Sequence, residues 1–433
     1  MLLIDNIKEI YTGSSAEPSY TEGYILIDED TITAVGSTES EEYLELQKDD
    51  RLSRYRADNL IALPGLINTH CHAGMSILRG YADDMELMSW LQDKIWPFEK
   101  RMDADDIYWG TMLAIAEMLR NGITTYHDMY FAVEQIARAV KETGIRAVIG
   151  LGLIEANDGE EGLRQTRDFI NEYQNTAGGR ITTNIAPHSP YTCSQEYLSS
   201  IIELTEELNS FIHIHLAETI QEVENMKAEA GRSPVAYLDE VGLFKVPVLA
   251  AHCVHLEQSE IALLAEKGVS VSHNPASNLK LGSGIAPIST MLDNGVNVSL
   301  GTDGAASNNS LDLIEDARMA SYLQKGINYD PRRLSLKDVL QLATVNGARA
   351  LLLEETGELK EGYQADIILA DSSSSPHFHP DFNQLSNLFY AGNGKDVKTV
   401  FVAGKKLVED NRLITIDLER VYHEVEKRAA RLS

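Results

Sequence analysis

Between Leu63 and Gly304 the sequence repeats one pattern: a short apolar run rich in β-branched residues, then a longer stretch with apolar residues at helical spacing. Such alternation predicts parallel strands joined by crossover helices, since parallel neighbours cannot be linked by a tight turn. Eight runs can be counted, at 67–72, 123–128, 147–153, 182–188, 211–218, 248–252, 269–274 and 296–303. Helical patterns lie between them, for example at 132–142, 195–208 and 257–266, and Gly144, Gly268 and Gly295 stand where helices should close. Eight such units close most economically into an α/β fold of the (β/α)8 barrel type, which carries its functional residues at the C-terminal ends of its strands. His70, His72, His188, His215 and His252 all fall at or just past a predicted strand end, and Asp303 does so on the eighth.

The flanking segments alternate differently. Strands are predicted at 24–28 and 31–35 around an acidic turn, and at 366–370 and 397–402 after the barrel, with a closing helix over 417–432. Both chain ends should therefore build one small β-sandwich. The expected division is 1–60 for its first part, 61–354 for the barrel, and 355–433 for its second part with the helix.

Charge and composition narrow the partners. Lys and Arg number 37 against 66 Asp and Glu, a net charge of -29. Phosphate backbones require clustered basic residues, so nucleic acid and anionic membranes are excluded as expected partners. No apolar run reaches the roughly 18 residues of a membrane span, and the first ten residues lack a signal peptide's basic and long apolar regions. A cytoplasmic protein acting on a small molecule is the expectation. The three cysteines, Cys71, Cys193 and Cys253, form no C-x-x-C pair and read as small buried hydrophobes.

His70-Cys71-His72 is an H-x-H pair, which in an extended chain sends both imidazoles to one face. Alternating core histidines give the same pattern. The fifth run, His213-Ile214-His215-Leu216-Ala217-Glu218, adds another strand-end histidine and, three residues on, a carboxylate. His215, nearer the strand end, is the candidate ligand, and His213, one pleat deeper, is read as structural. Gly301-Thr302-Asp303-Gly304 sets a carboxylate between glycines, where the backbone can approach closely; a simple turn former is the other reading. Three or four such ligands with one position left for water is the pattern of a catalytic metal site.

Taken together these motifs resemble the amidohydrolase superfamily, and within it the 5-methylthioadenosine/S-adenosylhomocysteine deaminases. The matching stretches are Pro64-Gly65-Leu66-Ile67-Asn68-Thr69-His70-Cys71-His72, Arg79-Gly80-Tyr81-Ala82-Asp83-Asp84, Pro187-His188-Ser189-Pro190-Tyr191, 213–218, Ala251-His252-Cys253-Val254-His255-Leu256, 272–282 and 300–309. The resemblance implies one divalent metal held by His70, His72, His215 and Asp303, zinc first, with iron or nickel as alternatives. It also implies a single ion, because His188 stands where two-metal relatives place a bridging lysine. A divalent ion makes water a nucleophile near neutral pH. Asp303 would take the nucleophile's proton, Glu218 would protonate the ring nitrogen, and His252 would hydrogen-bond the attacking oxygen. Glu99 would accept from ribose hydroxyls and His188 would contact the nucleoside, although by itself Glu99 reads as a helix-surface carboxylate. A homo-oligomer is a further expectation from the resemblance.

One departure bears on the substrate. The resemblance implies, in relatives that accept S-adenosylhomocysteine, an arginine late in the third strand, where this chain has Leu151, and a second arginine, for which Arg164 is the candidate counterpart. The same scaffold also serves hydrolysis of triazines, guanine-like bases and pterins, and two-metal hydrolysis of cyclic amides. A catalytically silent metal-binding protein is the reading outside enzymology.

Overall fold

The computed structural model describes residues 1–432. Its centre is an eight-stranded sheet made of β1 (Leu66–Cys71), β2 (Ile123–Tyr130), β3 (Arg146–Leu153), β4 (Ile181–Pro187), β5 (Ile212–Leu216), β6 (Val248–His252), β7 (Ser270–His273) and β8 (Asn297–Leu300). Neighbours in the chain are neighbours in the sheet, and every paired strand runs parallel to the next. β2 and β3 are buried along their whole length, and after Arg146 β3 reads accordingly as a continuous run of apolar residues and glycine.

The gap between β8 and β1 is closed chiefly by side chains. Asn68 accepts from the Thr302 amide at 2.9 Å and donates to Thr302 Oγ1 at 2.7 Å. The hydroxyl of Thr69 reaches the Leu300 carbonyl, and the Asp303 amide donates to the His70 carbonyl, each at 2.9 Å. Gly301 makes this approach possible, since a Cβ there would stand 2.4 Å from Asn274 Oδ1 and 2.8 Å from His70 Cβ.

Helices on the outside follow the expected pattern. Helix Val133–Thr143 ends on Gly144 at φ +92°, and Ala104–Arg120 begins with a reciprocal capping box between Asp103 and Asp106. The C-terminal helix, Leu418–Leu432, packs there too, with Arg428 3.2 Å from Asp106.

Both chain ends meet in a second, nine-stranded sheet. Besides the predicted strands, seen as Tyr20–Asp28, Thr31–Ser37, Ile367–Asp371 and Val397–Val402, it contains Leu2–Ile10, Ser53–Arg56, Leu60–Pro64, Lys405–Glu409 and Arg412–Leu413. Leu2–Ile10 runs parallel to two of these, so the sheet is mixed. It folds over a core in which Ile4, Ile25, Ile27 and Ile32 from the first chain end meet Ile367, Leu369 and Phe401 from the second. Chain passes from this sheet into the barrel at Gly65. Arg146 of β3 ties the two together, with Nε 2.8 Å from Asp366 Oδ2 and both side chains buried. Among the described residues no helix is long and apolar enough to cross a membrane.

Candidate active site

The C-terminal ends of β1, β5, β6 and β8 bring His70, His72, His215, His252, Glu218 and Asp303 into one cluster. The Nε2 atoms of His72 and His215 are 3.4 Å apart, and Asp303 Oδ1 lies 3.5 Å from His70 Nε2 and 3.3 Å from His72 Nε2. One candidate ligand atom from each of His70, His72 and His215 lies within 4.8 Å of the others, and the same holds for His70, His252 and Asp303. All these groups are buried or nearly so.

The tautomers are dictated by the surroundings. His72 Nδ1 is 2.6 Å from the Met129 carbonyl and His215 Nδ1 is 2.7 Å from the His188 carbonyl. Carbonyl oxygens only accept, so both imidazoles donate from Nδ1 and their Nε2 atoms carry lone pairs. Two lone pairs facing each other at that separation repel unless a cation stands among them. His70 Nε2 is buried and has no hydrogen-bond partner among the described residues. Burial lowers the pKa of His70 to about 3 and that of His215 well below its ordinary value, leaving both neutral, as metal binding requires. The residues present therefore fit a divalent cation, and imidazole with carboxylate suits zinc.

Asp303 is held on its far side by Ser277, whose hydroxyl donates to Oδ2 at 2.6 Å, and by the Gly304 amide, which donates to Oδ1 at 2.7 Å. Burial alone would raise its pKa; positive charge at His70, His72 or His252, or a cation standing among them, outweighs that and holds it well below the carboxylate range. Glu218 goes the other way: burial raises its pKa, which suits a proton donor. Its Oε2 lies 3.7 Å from His252 Nε2. For His252, burial favours the neutral form, yet the nearby carboxylates of Glu218 and Asp303 carry its pKa upward.

Local backbone explains how these groups come to face one point. Ala217, His252 and Asp303, each at or just beyond a strand end, have φ of +50°, +73° and +62°. These left-handed turns cost on the order of 1–3 kcal/mol each for residues other than glycine. They swing Glu218 and Asp303 off the strands and over the barrel mouth. Both residues accordingly lie outside the observed strands, which end at Leu216 and Leu300. Glu222 secures the first turn, its carboxylate accepting from the Ala217 amide at 2.9 Å and the Glu218 amide at 2.8 Å.

His72, His215, Glu218, His252 and Asp303 of this cluster line a pocket open to solvent. Its walls are apolar and aromatic, with Trp90, Trp96, Phe131 and Tyr191 prominent, and no lysine or arginine lines it among the described residues. Glu99 and His188 both face it. The helix-surface reading of Glu99 is thus replaced by a pocket position, reached through a π-helical turn at Leu91–Ile95 followed by Trp96–Glu99. Burial pushes the Glu99 carboxyl up to about 7, and the Tyr130 hydroxyl donates to it at 2.6 Å. Burial likewise lowers His188 to about 4, and its Nδ1 is 3.1 Å from the Ser189 hydroxyl.

Other expectations resolve as follows. Leu151 is buried in the main core and does not line the pocket; Gly152 and Ile154 do. Arg164 is on the surface, paired with Glu161 and Asp168, far from any role as such a counterpart. All three cysteines are buried and free. His255 donates to the Ser283 carbonyl at 2.7 Å, whereas His273 has neither ring nitrogen paired among the described residues. Sequence reasoning missed Tyr130, Glu222, Ser277 and Asn278, whose Oδ1 accepts from His252 at 2.8 Å. Glu222 had a weak signal in its i+4 spacing from Glu218; the rest had none.

Comparison with known proteins agrees with this geometry. The family model described as "Amidohydrolase family" matches residues 61–407. A 5-methylthioadenosine/S-adenosylhomocysteine deaminase of Halothermothrix orenii is 47% identical over 99% of both chains. An adenosine deaminase from Xanthomonas campestris, solved with bound zinc, superposes with a TM-score of 0.94 at 34% identity, covering 100% of this chain and 98% of that one. Atrazine chlorohydrolase TrzN from Arthrobacter aurescens TC1, also with zinc, has a TM-score of 0.90 over 99% of this chain and 100% of its own. At 24% identity that last likeness speaks to the fold alone. The chain belongs to the amidohydrolase family, within which it groups with the 5-methylthioadenosine/S-adenosylhomocysteine deaminases, and it is a hydrolase of carbon–nitrogen bonds with a divalent-metal site and a small-molecule substrate.

Proposed function

We propose that the protein hydrolytically deaminates an adenine-type nucleoside, with 5-methylthioadenosine, S-adenosylhomocysteine and adenosine as the candidates, giving the inosine-type product and ammonia. The observation that carries this reading is the pairing of Glu218 with His252 opposite Asp303, above three converging imidazole nitrogens. Ring deamination needs a proton acceptor at the water, a donor at the ring nitrogen and a hydrogen-bonding group at the attacking oxygen, and the cluster supplies one of each.

One zinc ion per chain, held by His70, His72, His215 and Asp303, would supply water activated as a nucleophile near neutral pH. Asp303, kept ionised, would accept a proton at the attacking water and hand it to the departing amine, which leaves as ammonia. Glu218, whose raised pKa favours the protonated form, would donate to the ring nitrogen beside the amine-bearing carbon and would be restored by the hydroxyl proton lost as the carbonyl forms. His252 hydrogen-bonds the oxygen that adds. Glu99 accepts from the ribose hydroxyls, and His188 contacts the nucleoside from the opposite wall. The apolar walls exclude water around the ring.

Among the described residues no lysine or arginine lines this pocket, which supports 5-methylthioadenosine or adenosine over S-adenosylhomocysteine; Lys100 lines an adjoining pocket that shares Trp96 and Glu99. The same reading divides the chain at 60/61 and 354/355 and takes the protein as a cytoplasmic homo-oligomer. Ammonia release by metal-quantified protein, measured in parallel on 5-methylthioadenosine, S-adenosylhomocysteine, adenosine, guanine and a triazine, tests it. Nucleoside turnover with a spectral shift to the inosine type is expected, with S-adenosylhomocysteine the poorer substrate. Silence on all three nucleosides would overturn the substrate, and two metals per chain would overturn the single-ion site.

A further inference from the structure

His213 is fully buried beneath His70 and outside the candidate ligand set. Its Nδ1 is 3.1 Å from the Leu249 carbonyl and its Nε2 is 2.8 Å from His70 Nδ1. The aromatic neighbours of its ring are themselves imidazoles, His127, His70 and His215, with centroids at 4.2, 5.0 and 6.4 Å. A positive charge there would be buried without a counter-ion, so the neutral ring is favoured. Since a carbonyl only accepts, the single proton of His213 lies on Nδ1 and its Nε2 is a bare acceptor.

From this we infer that His213 is a positioning residue that sets the tautomer and ring angle of His70. The bare Nε2 of His213 accepts from His70 Nδ1–H, which leaves the His70 Nε2 lone pair aimed into the ligand cluster, where it is buried, 3.5 Å from Asp303 Oδ1 and without a hydrogen-bond partner among the described residues. His72 and His215 take their tautomers from backbone carbonyls, which no substitution of the accepting residue removes. His70 alone takes it from a side chain. It is therefore the one imidazole of the three whose orientation a single replacement can release. This inference rests on the metal reading above, which placed His70 among the ligands but gave His213 no part.

The test uses the full chain loaded with zinc and titrated against a chromogenic chelator. His213→Leu keeps most of the ring's volume but offers no acceptor, leaving the buried His70 N–H unpaired. His213→Gln returns an acceptor near the position of Nε2. The leucine variant should hold zinc about 10- to 100-fold more weakly, the range for losing such an outer partner, and the glutamine variant should recover most of that loss. Melting of each protein with and without zinc separates metal affinity from folding: the rise on adding zinc should shrink for leucine and persist for glutamine. Should leucine impair folding, glutamine is compared with His213→Asn, whose shorter amide stops short of His70 and should bind zinc more weakly. Wild-type affinity in the leucine variant, or equal loss in the acceptor and non-acceptor variants, overturns the inference alone. A wild-type protein that binds no zinc overturns the metal reading and the inference with it.

Discussion

Replacing Glu99 by glutamine should make the protein more stable at alkaline pH and a poorer catalyst on ribose nucleosides. Burial raises the Glu99 carboxyl to about 7, against the downward pull of the Tyr130 hydroxyl. In the unfolded chain the same carboxyl titrates near about 4.3. The folded state therefore binds the extra proton between these values, and this group's contribution to stability falls as pH rises from about 4.5 through 7. At roughly 1.4 kcal/mol per pH unit, ionised Glu99 costs about 4 kcal/mol above pH 8 and about 1 kcal/mol at pH 5. Glutamine removes that cost, so its stabilising effect should grow by about 3 kcal/mol between pH 5 and pH 8. For a chain of this length that is a melting shift of roughly 3 °C, measurable by calorimetry at the two pH values. The same variant should lose about 10- to 100-fold in kcat/KM on adenosine or 5-methylthioadenosine, the worth of one hydrogen bond to a charged acceptor. Activity on free adenine, which has no ribose, should be unchanged. A stability difference independent of pH, or an equal loss on base and nucleoside, would refute the reasoning.

Three further outcomes follow from the same geometry. His215→Ala should lose metal and activity together, whereas Glu218→Gln should retain the metal and lose most turnover, as metal analysis beside ammonia release will show; matching metal loss in both counts against the assigned roles. Tyr130→Phe removes the hydrogen bond that lowers the Glu99 pKa, so the acid limb of the kcat/KM profile on nucleosides should move to higher pH, with kcat at saturation little changed. Asp366→Ala strands the buried Arg146 guanidinium between barrel and outer sheet, and urea unfolding should show a loss of about 3–5 kcal/mol.

Much of the barrel could be read from the chain. Each β-branched run sits between helical stretches that end in glycine or begin at a cap, so number and order of strands follow from local preference. The fifth and eighth runs were read too long because nothing local marks a left-handed residue such as Ala217 or Asp303, whose conformation tertiary contacts impose. The outer sheet was read in part: Leu2–Ile10 lacks clean alternation, since it is buried on much of both faces and carries an irregularity between Ile4 and Ile7.

The site divides in the same way. His70, His72, His215 and His252 were identifiable because their spacing and strand-end placement are local facts, and Asp303 because its glycine neighbours announce a close approach. Glu99 was singled out only through the family resemblance, because a lone carboxylate looks alike on a surface helix and over a pocket; its place in the pocket beside Trp96, Phe131 and Tyr191 makes the difference. By itself, then, the sequence determined which side chains stand at the strand ends and which chemistry they can perform. Only the tertiary structure decided which nitrogen of each imidazole is free, which carboxylates hold a proton, and that Leu151 and Arg164 face away from the pocket. Those properties depend on what lies opposite in space, and local periodicity carries no information about residues brought together from distant strands.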